Sequence, residues 1–135
     1  MRIGLLAPTV DVSAHCDLPC GVYDPAQARI EAQSVKAILE KYAANEDPVF
    51  RARALQIKEE RSDLVKHHLW VLWTDYFKAP HFEKYPQLNQ LFNEATKLAG
   101  GGGGTKSSTD VVVADQLLAK IDEIAEIFWE TKKAA

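Results

Sequence analysis

The sequence predicts an all-α protein, a four-helix bundle preceded by a non-helical N-terminal arm. Three observations carry this. Apolar residues recur at helical spacing in four separate stretches, proline or glycine punctuates between them, and no stretch alternates apolar with polar residues as a half-buried strand would. A chain of 135 residues suits one domain. Hydrophobic residues at 47% and charged residues at 26% are ordinary globular usage, which argues against disorder.

The first helix opens at Asp24-Pro25, an N-cap residue followed by proline at the first helical position. Ile30, Val35, Ile38, Leu39 and Tyr42 then recur at helical spacing, and Asn45 suits the exit. The second opens the same way at Asp47-Pro48 and runs to about Phe77. Phe50, Ala54, Ile57, Leu64 and Val71 or Leu72 form its apolar side. Ala79-Pro80 ends it, because the residue before a proline is pushed out of the helical region. A shorter third helix covers Pro86 to Ala99, with Leu88, Leu91, Phe92, Ala95 and Leu98 on one face.

Gly100 to Gly104, followed by Thr105-Lys106-Ser107-Ser108, reads as a flexible connector. No strand precedes this run and no Gly-Lys-Ser/Thr signature appears, so a phosphate-binding loop is not expected. The fourth helix opens at Thr109-Asp110, and Val113, Leu117, Ile121, Ile124 and Phe128 form its core stripe. Four amphipathic helices with short connections make a bundle.

A net charge of −3 excludes a globally basic nucleic-acid binder. No apolar run approaches the ~20 residues that a membrane helix needs. Ile3 to Ala7 falls short of the ~7–15-residue core of a secretory signal, and Pro8 follows at once. A cytoplasmic protein without nucleic-acid or membrane partners is expected. Val12-Ser13-Ala14 nevertheless ends in small residues, as cleavage sites do, so residues 1–14 read as a segment removed for a purpose other than export.

The chemistry is concentrated in the arm, His15-Cys16-Asp17-Leu18-Pro19-Cys20-Gly21-Val22-Tyr23. Cys16 and Cys20 are too close together to staple a fold. Thiolates favour copper(I), zinc, iron–sulfur clusters or nickel over magnesium and calcium. A closed zinc site wants four side-chain ligands, and the arm offers three. Spacing alone also leaves open a chance pair of reduced thiols or a labile disulfide. A thiol oxidoreductase is disfavoured, since it prefers Cys-x-x-Cys beside a strand–helix unit. Cleavage after Ala14 would expose the His15 amine beside its imidazole. The amine, the Cys16 backbone nitrogen and both thiolates would then surround one metal in a plane, with the imidazole free to approach along the axis. Planar nitrogen and sulfur coordination suits nickel(II) or copper(II).

This pattern, His-Cys-x-x-Pro-Cys-Gly-x-Tyr directly after a small-residue cleavage site, resembles the metal-binding hook of the nickel-containing superoxide dismutase family. The similarity continues through Tyr23 to Glu31, Lys66-His67-His68, Asp75-Tyr76-Phe77-Lys78 and Ile127 to Lys133. The resemblance implies a pro-segment over 1–14 and a single domain over 15–135, with the hook at 15–23 and the four-helix bundle at 24–135. It implies a homohexamer with one nickel ion per subunit, a maturation protease, and conversion of superoxide to oxygen and hydrogen peroxide by nickel(II)/nickel(III) cycling. Carried across, His15 supplies amine and axial imidazole, Cys16 supplies amide nitrogen and thiolate, and Cys20 supplies the second thiolate. Pro19 shapes the turn, and Asp17 and Gly21 belong to the hook. Tyr23 stands at the mouth and orders water or substrate. Glu31 and Arg61 hold the imidazole; Tyr76 is placed to bond Tyr23, and Lys78 to attract the anion.

Other residues have plainer expectations. His67 and His68 read as surface or interface groups, and Trp70, Trp73 and Trp129 as core or subunit contacts. The alternative from another class is a non-catalytic module holding zinc or nickel through the same arm for storage or assembly.

Overall fold

Three of the four long helices start where an aspartate accepts a free backbone N–H. In this computed structural model, which describes residues 20–134, Asp24 Oδ1 accepts from Ala26 at 2.8 Å, Asp47 Oδ2 from Phe50 at 3.1 Å and Asp110 Oδ1 from Val112 at 2.9 Å. Each cap satisfies a donor that the first helical turn leaves unpaired. The described elements run α1 (Ala26–Ala44), α2 (Pro48–Val71), a π-helical turn (Leu72–Tyr76), α3 (Ala79–Lys84), α4 (Leu88–Leu98) and α5 (Val111–Lys133). Helices α1, α2, α4 and α5 form the bundle: α1 packs on α2 and α5, and α4 packs on α5 and α2.

The main core joins Ala28 and Ala32 of α1, Val65 and Leu69 of α2, Leu88, Leu91, Phe92 and Ala95 of α4, and Leu117, Ile121, Ile124 and Phe128 of α5. A smaller cluster of Val35, Leu39 and Ala114 closes the other end of the α1–α5 contact. The stripes expected on α4 and α5 are largely the ones buried. On α1 the inward face is Ala28, Ala32, Val35 and Leu39, spaced by four, three and four residues, and Ile30 points out at 59% exposure. The alanines let α1 approach its neighbours closely, so side-chain size was a poor guide to that face.

Two elements depart from the expected outline. Helix α2 does not end in a simple stop before Ala79-Pro80. Its last turn widens, with the Phe77 N–H donating to Leu72 O at 3.0 Å, and Pro80 sits at the start of the short α3. Insertions of this kind re-aim side chains and recur at functional sites.

The glycine-rich run is not a flexible connector. It folds back onto the end of α4, with Thr105 N–H donating to Leu98 O at 2.7 Å and Lys106 N–H donating to Gly100 O at 3.1 Å. Gly103 takes a left-handed φ of +83°. Fully buried Thr105 shares a 2.8 Å hydroxyl hydrogen bond with Ser62 of α2. Lys58, only 2% exposed, donates to Lys106 O at 3.0 Å and Ser108 O at 2.9 Å. Burial pushes the Lys58 ammonium below its ordinary pKa, with Glu59 opposing. The carbonyls that bind Lys58 replace part of the water it has lost.

A Cβ at Gly104 would drive into the backbone carbonyl oxygens of Lys97, Leu98 and Gly100, whereas one at Gly102 meets nothing within 4 Å. Gly104→Ala is therefore expected to destabilise the protein by about 1–3 kcal/mol, as overpacking does. Gly102→Ala should stay within about 0.5 kcal/mol. Urea unfolding of the two variants checks the contrast, and equal effects would mean that the run is not closed as described.

Candidate functional site

Four of the expected site residues, His15, Cys16, Asp17 and Pro19, lie outside the described residues. The described part of the arm begins at Cys20. Gly21 follows with φ +71°, a left-handed conformation that a side chain would strain. That bend brings the Val22 N–H back to Cys20 Sγ at 3.4 Å. The same sulfur lies 3.9 Å from Val22 O, so the turn closes on both backbone groups of Val22. Cys20, Gly21 and Val22 are exposed.

Tyr23 is half-buried, and its ring meets that of Tyr76 with 5.5 Å between centroids and 59° between planes. Tyr76 closes the π-helical turn and lies in an aromatic cluster. Phe128 is 4.4 Å from it, Phe77 4.9 Å, and His81 stacks nearly parallel at 5.8 Å. The Lys132 ammonium lies 5.1 Å from the same ring centre, near enough for a cation–π attraction. The hydroxyl of Tyr76 bonds Thr131 of α5 at 2.7 Å. The rings of Tyr76 and Tyr23 pack against each other beside that bond.

Glu31 and Arg61 do pair. Nη1 of Arg61 reaches both carboxylate oxygens at 3.1 and 3.2 Å, tying α1 to α2. The glutamate side chain is 17% exposed and the arginine 41%. Such a pair fixes the direction of a carboxylate more than it stabilises a fold. Lys78 is exposed at the N-cap of α3, where its backbone N–H donates to His81 Nδ1 at 3.0 Å. Among the described residues no carboxylate pairs with its ammonium.

His67, His68 and Trp73 are half-buried. The rings of His67 and His68 meet edge to face at 5.4 Å. Trp73 stacks on Phe92 and donates to Asn89 at 2.9 Å. Trp70 and Trp129 stay about half exposed. Among the described residues no three His, Cys, Asp or Glu side chains converge to hold a metal ion, and Cys20 is the one expected ligand there. Sequence reasoning missed the support behind Tyr76, namely Thr131, His81 and Phe128. One signal was present: Thr131 lies three residues beyond Phe128, a polar residue on an apolar stripe.

The family model described as nickel-containing superoxide dismutase matches residues 10–132. A nickel superoxide dismutase of Streptomyces coelicolor is 61% identical over 130 residues, spanning 96% of this chain and 97% of the relative. Two solved structures of a nickel-containing superoxide dismutase are each 62% identical, with TM-score 0.84 over 88% of this chain and 99% of theirs. One has nickel ligation corresponding to the oxidised state, the other to the state after partial X-ray-induced reduction. Among the described residues no helix is long and apolar enough to cross a membrane.

Because the Glu31–Arg61 pair is partly exposed, Arg61→Met is expected to cost under about 1 kcal/mol in denaturant unfolding. Superoxide turnover should nevertheless fall. A large loss of stability with turnover intact would make the pair a structural brace.

Proposed function

The chain belongs to the family of nickel-containing superoxide dismutases, and from that premise we propose that residues 1–14 are a pro-segment whose removal exposes the His15 amine. The protein is a nickel-dependent oxidoreductase that converts superoxide to oxygen and hydrogen peroxide. Two superoxide anions and two protons give one molecule of each product, so the site must pass single electrons both ways and deliver protons.

The donor chemistry of this chain fits nickel. Cys20 Sγ is exposed and accepts an N–H bond, as a ligand thiolate would. With Cys20 as one thiolate, Cys16 would add the other together with its amide nitrogen, and His15 its amine and imidazole. Bound there, nickel supplies a one-electron nickel(II)/nickel(III) couple, favoured by anionic sulfur and nitrogen donors.

The other residues act around that centre. Glu31, aimed by Arg61, orients the His15 imidazole, the usual part of a carboxylate behind a ligating histidine. Asp17, Pro19 and Gly21 shape the hook, and the left-handed Gly21 supports this. Tyr23, braced against Tyr76, orders water or substrate at the mouth. Lys78 attracts the anionic substrate to a protein whose net charge of −3 would otherwise repel it. Subunits assemble as a homohexamer, a reading supported by exposed apolar groups such as Ile30, Val49, Trp70 and Trp129. A protease of the cytoplasm, where the protein works, removes the pro-segment.

The observation that carries the site reading is exposed Cys20 with the Val22 N–H upon its sulfur. Cys20→Ser is expected to abolish superoxide turnover while leaving the far-ultraviolet circular dichroism of the bundle unchanged, since the residue lies outside the core. Retained turnover, or global unfolding, would overturn that assignment.

A further inference from the structure

Thr131 is a polar residue inside the apolar stripe of α5, 7% exposed. Its hydroxyl donates to Phe128 O at 2.6 Å. A threonine hydroxyl carries one proton. With that proton committed, the 2.7 Å contact between Thr131 Oγ1 and Tyr76 has a single polarity, in which Tyr76 donates. A phenol also has one proton, so Tyr76 meets any further partner only as an acceptor. Phe128, His81 and Lys132 surround the Tyr76 ring, and Tyr23 packs against it.

We propose that Thr131 is a positioning residue for superoxide dismutation: it takes the Tyr76 proton and fixes Tyr76 as a hydrogen-bond acceptor beside Tyr23. The inference rests on the reading of residues 15–23 as the hook. Its consequence is a direction for proton delivery. Tyr76 is not the proton donor for peroxide. A water bonded to Tyr76 keeps its second proton for the substrate, whereas a Tyr23 hydroxyl bonded there has none left.

The test uses nickel-loaded protein carrying Thr131→Val, Thr131→Ser, Tyr76→Phe, or Thr131→Val with Tyr76→Phe. Superoxide decay over a range of concentrations separates kcat from kcat/KM. Thr131→Val should lower kcat about tenfold, the scale of one lost hydrogen bond, and leave kcat/KM within about twofold. Thr131→Ser should restore kcat, and Thr131→Val should add nothing once Tyr76 is Phe. By NMR, the Tyr76 hydroxyl proton should exchange slowly in the wild type and in Thr131→Ser but be lost in Thr131→Val. An unchanged kcat in Thr131→Val, or Thr131→Ser as impaired as Thr131→Val, would overturn the proposal. Should Thr131→Val fail to fold, the wild-type hydroxyl proton decides, and its absence overturns the proposal. Inactivity of the wild type would instead count against the hook reading, while the hydroxyl proton would still judge Thr131.

Discussion

The Tyr76 ring, 4.4 Å from Phe128, is the contact on which the head of the bundle depends. It joins the end of α2 to α5 and gives Tyr23 a surface to pack on. An ordinary α-helical ending would turn the side chains after Leu72 to other directions, because one added residue in a turn rotates all that follow. The widened turn puts Phe77 into the core, 2% exposed, and leaves Tyr76 half-buried at its edge. Apolar burial and site geometry are thus set by the same five residues.

The described part of the arm begins outside the two clusters of the core. Cys20, Gly21 and Val22 are exposed, and the sulfur accepts the Val22 N–H. The division of labour is physical. A packed bundle fixes Tyr23, Glu31, Arg61 and Tyr76, and Cys20 lies on exposed chain just before it.

Much of this was legible in the sequence because it is local. Asp24, Asp47 and Asp110 announce their helices by capping chemistry, and the α5 stripe from Leu117 to Phe128 repeats at helical spacing. The proposed hook residues are contiguous, so their donor types can be read in line. What escaped is long-range. The glycine run gains its order from Lys58 and Ser62, more than forty residues away, and composition alone suggests slack chain. The inward face of α1 is built on Ala28 and Ala32, which a search for large apolar residues passes over. The π-helical turn has no local signature at all, since it arises from fitting Phe77 and Tyr76 against α5.

The proposed chemistry turns on a free amine at His15, and one comparison tests it most directly. Nickel-loaded protein beginning at His15 and the same protein retaining Ala14 are assayed for superoxide consumption. Fast turnover in the first alone is the expected result. Equal turnover in both would remove the amine from the site, and no turnover in either despite bound nickel would favour a storage or assembly role over catalysis.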